Sequence, residues 1–391
     1  MKIGFFEIYR HIECLNSFCE IYSNSEKLEA VYIFTTKAYA NELEAVYPHA
    51  TWFKKGIENT QTFLDNNKDH ISELDILIIG TMRVIDDFNI FINFDFKPKM
   101  ILRIHDYTVW FDQFSWIDPR STLKNFRSSM AVFLKYYIKN GNLFKIGKFL
   151  DKMDYLMFYN EVVEDFVLQR HPELKSRIFP TFPITTTFKG ITSGDLPDIF
   201  TISVPGYINP KRRDYELVFQ IFKHIRHDLK KKVHLKILGK PIKKKGHKIL
   251  NKIKQLANEN LLIKTYENRL TQNEFYQEMK SSHILLAPIN INTNEIFFKS
   301  VYGKTKVSGI EDDVLRFQRP VILPKEYNNS KHIEPFVFKY KDEADLSALL
   351  LKLINNEIDI LSPEDIFNNI SQKEFYNTEW VLKSFMEIIS C

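Results

Sequence analysis

Glycine is scarce in this chain, with only 12 glycines among 391 residues. No G-x-G-x-x-G pattern follows any predicted strand, and no Walker-type phosphate loop occurs. Both motifs need glycines where the backbone passes close to a phosphate group. Their absence argues against a dinucleotide-dependent dehydrogenase and against a P-loop kinase or ATPase.

Cysteine is rarer still, with three residues in all. Cys14 and Cys19 fall on one predicted helix and Cys391 is terminal, so their spacing fits neither a disulfide framework nor a metal site. The sequence also has no Asp-x-Asp motif. We therefore expect reduced thiols, no metal and no other cofactor.

Long hydrophobic runs are missing as well. The apolar N-terminus is interrupted by Glu7 and Arg10, which leaves it too short for a secretory or membrane-spanning segment, and we expect a cytoplasmic protein. The composition is nevertheless that of a folded globular protein, at 44% hydrophobic and 14% aromatic residues with 33 phenylalanines. Its length allows two domains, each with its own core.

The net charge of the chain is modest, at +5, but the charged residues are unevenly distributed. Residues 201–260 carry 16 Lys and Arg against 4 Asp and Glu, including the triplets 230–232 and 243–245. Such a surplus attracts anionic partners. A solvated lysine-rich face explains the triplets equally well.

Short apolar runs alternate with helical periodicity along most of the chain, which predicts parallel sheets covered by helices on both faces. The predicted strands are 2–8, 30–35, 74–80, 100–105 and 155–159, then 199–205, 233–238, 262–266, 284–287 and 321–323. Residues 180–197 are dense in Pro, Thr and Gly, as linkers are. We expect an N-terminal domain at 1–185, a C-terminal domain at 196–371 and a last amphipathic helix at 372–391.

The segment 121–153 mixes aromatic residues with lysine and has almost no acid before Asp151. It fits a helix lying in a membrane interface, which would make the protein a peripheral membrane protein at the inner face. It fits equally well a helical pair packed on the sheet with its lysines in water.

Three loops of the second domain have the residue types that bind phosphate. Such loops matter because ligands of parallel α/β sheets bind beyond the carboxyl ends of the strands. The first loop carries Gly206, Lys211 and Arg212 just before a helix, the second carries Gly239, and the third runs from Lys304 to Gly309. Arginine forks, ammonium groups and helix N-termini all stabilise phosphate. Helix capping and solvent exposure would explain each loop separately.

The second domain resembles the donor domain of GT-B glycosyltransferases, most closely the retaining glycosyltransferase family four and its bacterial polysaccharide relatives. The resemblance covers about 130 residues and rests on a few short stretches: Val204-Pro-Gly-Tyr with Lys211-Arg-Arg, Leu235-Lys-Ile-Leu-Gly239, Tyr266-Glu-Asn-Arg-Leu-Thr, Leu285-Leu-Ala-Pro288, and Gly309 ahead of Arg319-Pro-Val-Ile. It implies two doubly wound, Rossmann-like domains facing a cleft, with the last helix crossing back to the first domain.

The resemblance also implies an activity, the transfer of a sugar from a nucleotide-sugar donor to a glycan or lipid-linked acceptor. Lys211, Arg212, Lys304 or Lys306 would neutralise the leaving diphosphate, and Lys304 would thereby act in catalysis. Other donor-binding positions are implied as well: Gly206, Gly239, Tyr266, Leu270, Ser308 and Gly309. The family's pair of glutamates is not preserved, because Thr305 and Asp313 stand near their places, with Glu311 alongside. Ribose recognition by Asp313 or Glu311 is therefore a hypothesis.

The first domain offers polar residues after two of its strands, His11 and Glu13 after the first and His105, Asp106 and Tyr107 after the fourth. We expect His105 and Asp106 in a catalytic role, and His11, Glu13 and Tyr107 in acceptor binding. A structural histidine is the competing interpretation for both His11 and His105.

The alternative function is a non-enzymatic basic module for acidic polysaccharide or nucleic acid, driven by the surplus at 201–260. It predicts affinity that falls steeply with salt and no turnover of nucleotide sugars. The glycosyltransferase interpretation expects no nucleic-acid partner.

Overall fold

The structure is a computed structural model and describes residues 1–9, 11–23, 25–82, 87–112, 142–179, 190–295, 298–372, 382–383 and 385–387. The chain folds into two compact units. Unit 1 comprises Met1–Thr186, Glu295–Ser300 and Lys373–Cys391, and unit 2 comprises Thr187–Asn294 and Val301–Gln372.

Unit 1 is built on a seven-stranded sheet in which every neighbouring pair is parallel. Its strands are β1 (Lys2–Glu7), β2 (Ala30–Thr36), β3 (Thr51–Lys55), β4 (Ile76–Ile79), β5 (Lys99–Ile104), β6 (Tyr155–Phe158) and β7 (Ile178–Phe179). Their order across the sheet is β3-β2-β1-β4-β5-β6-β7, so the strand order reverses direction between β1 and β4.

The described helices of unit 1 follow the strands. They are α1 (Ile12–Tyr22), α2 (Lys37–Leu43), α3 (Thr60–Asn66), α4 (Lys68–Ser72), α5 (Phe88–Asn93), α6 (Tyr107–Phe111), α7 (Asn142–Asp151) and α8 (Glu161–Leu168), with a 3-10 helix at Pro172–Arg177. Strand β4 is buried along its whole length, as expected of a parallel strand covered on both faces. Of the segment 121–153, only the part from residue 142 onward lies within the described residues.

Phenylalanine supplies much of the core of unit 1. Phe5 stacks on Phe18 at 4.5 Å between ring centroids, and Phe6 meets Phe91 edge-on at 5.3 Å on the other face of the sheet. Two described residues near the C-terminus, Leu382 and Phe385, join the same core. The Phe385 ring lies 4.7 Å from that of Phe179.

Unit 2 repeats the plan with a six-stranded parallel sheet. Its strands are β8 (Phe200–Val204), β9 (Val233–Ile237), β10 (Leu261–Thr265), β11 (Ile284–Leu286), β14 (Val321–Pro324) and β15 (Val337–Tyr340). The order is β10-β9-β8-β11-β14-β15, so the reversal falls between β8 and β11. Strands β12 (Asn292–Glu295) and β13 (Phe298–Val301) form a separate two-stranded sheet, of which residues Glu295–Ser300 belong to unit 1.

Helices again connect the strands of unit 2. They are α9 (Tyr215–Ile225), α10 (Lys243–Lys254), α11 (Gln272–Lys280), α12 (Ile310–Phe317), α13 (Glu343–Ile354) and α14 (Pro363–Ser371), with 3-10 helices at Ser193–Asp195 and Glu334–Phe336. Local sequence fixes several of their ends. Helix α11 begins at a capping box in which the Thr271 hydroxyl accepts from the Glu274 amide at 3.2 Å and the Glu274 carboxylate accepts from the Thr271 amide at 2.8 Å.

Among the described residues, no helix combines the length and the apolar character needed to cross a membrane.

Candidate functional site

The reversal of strand order in unit 2 falls between β8 and β11, and this is where open α/β sheets bind ligands. The loops that leave these two strands are joined by backbone contacts. The Asp214 amide donates to the Pro288 carbonyl at 2.7 Å, and the Asn290 amide donates to the Arg212 carbonyl at 3.0 Å. The structure therefore brings the predicted loop at 205–214 to the switch point of the sheet.

Two glycines allow the loops after β8 and β9 to cross. Gly206 has a φ of +91°, a backbone conformation that side chains other than hydrogen disfavour. A Cβ added at Gly239 would lie 1.8 Å from the Gly206 carbonyl oxygen. Both positions require glycine, and both are among the predicted donor-binding residues.

The side chain that covers Gly206 belongs to Arg213. A Cβ added at Gly206 would meet the Arg213 guanidinium at 2.9 Å from Nη2 and 3.1 Å from Nε. The Arg213 Nη1 atom is buried and has no hydrogen-bond partner among the described residues. A buried guanidinium nitrogen gains most from an anionic acceptor. The loop therefore places a buried guanidinium nitrogen without a described partner at the switch point.

The two predicted cations of this loop, Lys211 and Arg212, differ in exposure. Lys211 is exposed, and its amide donates to Asn209 Oδ1 at 3.1 Å, which fixes the turn. Arg212 is half-buried. Helix α9 follows, with Asp214 capping the Leu217 amide at 2.9 Å. Burial raises the pKa of the Tyr215 phenol to about 12, and its hydroxyl donates to the Gly206 carbonyl at 3.0 Å.

The predicted loop at 304–309 is organised by a tyrosine that sequence reasoning missed. The Tyr327 hydroxyl accepts from the Ser308 amide at 3.0 Å and donates to Glu311 Oε1 at 2.6 Å. The second oxygen of Glu311 accepts from the Ser330 amide at 3.2 Å. Burial and the Glu311 charge raise the pKa of Tyr327 far above its ordinary value. Glu311 is thus a buried support of this loop, 3% exposed.

The remaining predicted residues of this loop differ in exposure. Lys304 and Gly309 are exposed, whereas Lys306 and Asp313 are half-buried. The Lys306 ammonium lies 5.5 Å from the centroid of the Tyr302 ring. Of the two carboxylates considered for ribose, Glu311 is the one held by the Tyr327 hydroxyl and the Ser330 amide.

Tyr266 and Leu270, predicted to frame the base, follow β10 and are both half-buried. The Tyr266 side chain is hydrogen-bonded to Glu278. The Glu278 carboxylate also forms ion pairs with the ammonium groups of Lys236 at 3.0 Å and Lys264 at 2.5 Å. Burial opposes ionisation of Glu278, but the hydrogen bonds from Lys264, Tyr266 and Lys236 outweigh it and lower its pKa to about 2. This cluster fixes the Tyr266 hydroxyl against the sheet.

The switch point of unit 1, between β1 and β4, is held by a buried carboxylate. Glu7 Oε1 accepts from the Tyr9 amide at 2.9 Å, and Oε2 accepts from the Thr81 amide at 2.8 Å. Tyr9 in turn donates its hydroxyl to Asp87. The carboxylate thereby ties the loop after β1 to the loop after β4. Sequence reasoning missed Glu7, although an acid inside an apolar strand signals a buried polar partner.

The structure brings together the two predicted histidines of unit 1. The rings of His11 and His105 stack at 4.7 Å between centroids and 12° between planes, and Tyr159 lies 5.6 Å from His105. His11 Nδ1 is 2.9 Å from Glu13 Oε1, with 34% of the His11 side chain exposed. These residues form a polar, aromatic surface at the carboxyl ends of β1, β5 and β6, suited to hydroxyl groups.

A metal ligand set is the other chemistry this corner offers. Ligand-type atoms of His11, Glu13 and Cys14 lie within 4.8 Å of one another. Two of them are already at hydrogen-bond distance, and Cys14 is buried. The expectation of no metal stays a prediction.

Asp106 and Tyr107 lie beside the histidines, and both have structural contacts. Asp106 Oδ1 accepts from the Thr108 amide at 3.0 Å and so caps α6, and Oδ2 accepts from the Ser300 hydroxyl at 2.9 Å. Tyr107 is 6% exposed and meets Phe166 edge-on at 4.9 Å. Their predicted roles therefore rest on their place in the loop after β5.

No protein-family model matches this chain, and no curated protein matches it. Solved structures do. HepE from Anabaena, crystallised with UDP, aligns over 100% of both chains with a TM-score of 0.61 at 10% identity. The lipopolysaccharide outer core galactosyltransferase WaaB aligns over 100% of this chain and 99% of its own, with a TM-score of 0.53 at 12% identity.

TarM from S. aureus is a third similar structure, with a TM-score of 0.52 at 16% identity. The alignment covers 86% of this chain but spans only 60% of the TarM chain. At such identities likeness establishes the fold alone. The fold is the GT-B type, with two Rossmann-like α/β domains, which confirms the predicted fold class. The resemblance to family four and the predicted site residues stay predictions.

Proposed function

We propose that this protein is a glycosyltransferase that moves a sugar from a nucleotide-sugar donor to a glycan or glycolipid acceptor. Unit 2 binds the donor and the carboxyl edge of the unit 1 sheet binds the acceptor. In this proposal the transfer retains the anomeric configuration, needs no metal, and serves surface polysaccharide synthesis on the cytoplasmic side.

The observation that carries the proposal is the position of Arg213. Its guanidinium lies over Gly206 at the switch point of the unit 2 sheet, with Nη1 buried and without a described partner. The loops after β8, β9 and β11 meet there through Gly206, Gly239 and the Arg213–Ile289 bridge. A diphosphate at this point would accept hydrogen bonds from the guanidinium. HepE, which has a similar fold, binds UDP and UDP-glucose.

The chemistry follows from where negative charge develops. As the glycosidic bond to the donor breaks, the nucleoside diphosphate leaves with added negative charge, which fixed cations stabilise without reorganising. Arg213, Arg212 and Lys211 supply those cations on one loop, and Lys304 and Lys306 on another. Asp313 is our candidate for the ribose hydroxyls.

The acceptor hydroxyl is placed by the histidine pair in this proposal. The hydrogen bond between His11 Nδ1 and Glu13 orients the imidazole and leaves Nε2 toward a ligand. The stacked His105 ring fixes the plane of His11. In a retaining transfer the departing phosphate oxygen accepts the acceptor proton, so the histidines position the hydroxyl and need not remove its proton.

A thermal-shift panel of nucleoside diphosphates and nucleotide sugars tests the proposal. A ligand at one hundred times its Kd stabilises the folded state by about 2.7 kcal/mol. For a unit of this size that raises Tm by roughly 5 to 10 °C. UDP and UDP-sugars are the first compounds to test, each with and without EDTA, followed by assays of UDP release with glycan and lipid-linked acceptors.

A flat panel contradicts the proposal and favours the basic binding module. Loss of the shift on adding EDTA contradicts metal independence alone. The anomeric configuration of the product, read by NMR, decides between retention and inversion.

A further inference from the structure

The two lysine triplets of unit 2 lie at opposite ends of the strand β9. Residues 230–232 directly precede β9, which begins at Val233, whereas residues 243–245 form the first turn of α10, after β9 has ended. All six lysines are exposed. The triplets therefore offer the same charge in two different surroundings.

The second triplet belongs to a larger surface, because the loop after β8 packs directly against the start of α10. The Ile208 amide donates to the Lys240 carbonyl at 3.0 Å, and the Ile242 amide donates to the Ile208 carbonyl at 3.0 Å. Gly246 of α10 approaches so closely that an added Cβ would lie 2.7 Å from the Ile208 oxygen. Residues next to Ile208 thus lie beside the lysines of α10.

We call this surface the lysine patch. It consists of Tyr207, Lys211, Lys240, Lys243, Lys244 and Lys245. Tyr207 is 45% exposed although it is a large aromatic residue. The Lys240 ammonium lies 5.9 Å from the centroid of the Tyr207 ring.

The positive charge of the lysine patch is not neutralised by neighbouring acidic side chains. Among the described residues, none of its five ammonium groups forms an ion pair. The carboxylates near α10 pair further along the helix, Glu216 with Lys252 at 2.8 Å and Glu267 with Lys254 at 2.5 Å. The N-terminus of α10 adds partial positive charge to the same end. The patch is therefore a surface of one sign of charge.

We propose that the lysine patch docks this protein on an anionic bilayer surface. Its cations are ammonium groups spread over two loops and a helical turn, and four of the five lysines are exposed. This spread suits the diffuse charge of lipid headgroups. Arginine forks in a closed pocket would instead suit one discrete phosphate. The exposed Tyr207 ring has the amphipathic character that places aromatic side chains at headgroup depth. Lys211 is shared with the proposed donor site, whereas Lys243, Lys244 and Lys245 belong to the patch alone.

Vesicle co-sedimentation with matched charge-reversal variants tests the proposal. One variant carries Lys243→Glu, Lys244→Glu and Lys245→Glu, and its control carries Lys230→Glu, Lys231→Glu and Lys232→Glu. Vesicles are phosphatidylcholine alone or equimolar phosphatidylcholine and phosphatidylglycerol. Urea unfolding confirms that both variants are folded.

We expect the wild-type protein to bind only the anionic vesicles, with affinity that falls as salt rises. Reversal at 243–245 should weaken this binding by at least about 100-fold, since each lysine near an anionic surface accounts for a several-fold change. Reversal at 230–232 should weaken it by less than about tenfold, because those residues lie at the other end of β9.

Four results would overturn the proposal. They are no binding of the wild-type protein to anionic vesicles, equal losses in the two variants, an equally tight and salt-sensitive affinity for RNA or heparin, and loss of UDP-induced stabilisation in the 243–245 variant without vesicles. The third would assign the patch to polyanions in general, and the fourth would assign it to the donor site.

Discussion

Replacing Gly239 by alanine tests the loop junction on which the candidate donor site is built. The new Cβ would lie 1.8 Å from the Gly206 carbonyl oxygen, 2.5 Å from its carbon and 2.8 Å from the Tyr207 Cα. Contacts below 3.0 Å are essentially never seen, so the two loops must separate by about 1.2 Å. All three atoms belong to the backbone, and no change of rotamer can relieve the overlap.

Overpacking of this kind typically costs 1 to 3 kcal/mol, and backbone contacts place Gly239→Ala at the upper end, about 3 kcal/mol. For a unit of this size the expected fall in Tm is roughly 6 to 12 °C. Differential scanning calorimetry measures it directly. The variant should also bind UDP more weakly than the wild-type protein at a temperature where both are folded, because the shift displaces Gly206 and the Arg213 side chain above it.

Gly309→Ala is the matched control in the same unit. A Cβ there meets nothing within 4 Å, and the φ of −58° suits any residue. We expect a change below about 1 kcal/mol, chiefly from the altered helix cap. Equal Tm values for the two variants would refute the close crossing of the loops after β8 and β9.

Two further substitutions test the polar networks of unit 2. Glu278→Gln should lower the free energy of unfolding at pH 7 by roughly 3 kcal/mol, since the folded state holds the pKa of Glu278 at about 2 against an ordinary 4.5. The ionised Glu278 contributes this stability above pH 4.5 and loses it as pH falls toward 2. The free energies of unfolding of the variant and the wild-type protein, measured by urea unfolding, should therefore converge between pH 4.5 and pH 2. A difference that does not change with pH would contradict the prediction. Tyr327→Phe should destabilise unit 2 by roughly 2 kcal/mol, because the Ser308 amide and the Glu311 carboxylate both lose their buried partner. Urea unfolding measures this change, and a variant that unfolds at the same urea concentration as the wild-type protein would contradict the prediction.

The sequence predicts the sheets well because buried parallel strands are short apolar runs. Strand β1 matches its predicted position to within one residue. The edge strands β3, β7 and β15 are not among the predicted strands, because short or half-exposed edge strands lack the continuous apolar signal. Helix α10 begins at Lys243, and no apolar periodicity marks that start because the first turn is lysine.

The candidate sites were predicted by their loops rather than by their side chains. His11 and His105 were chosen separately, and only the parallel pairing through β1, β4 and β5 reveals that their rings stack. Arg212 and Arg213 are adjacent in an irregular loop, where no periodicity tells which side chain turns back over Gly206. The hydrogen bond between Tyr327 and Glu311 joins the loop after β14 to the first turn of α12, 16 residues apart, and sequence spacing alone carries no sign of it.

Isothermal titration calorimetry tests the diphosphate site of unit 2 most directly, with UDP and uridine titrated into the wild-type protein, Arg213→Ala and Arg212→Ala. Removing a charged hydrogen bond to a phosphate costs about 1.5 to 3 kcal/mol, so Arg213→Ala should weaken UDP binding roughly 10- to 150-fold and leave uridine binding unchanged. Arg212→Ala should have the smaller effect, because the guanidinium nearest Gly206 belongs to Arg213. Equal weakening of UDP and uridine, or no weakening by Arg213→Ala, would contradict a diphosphate site at the switch point of unit 2.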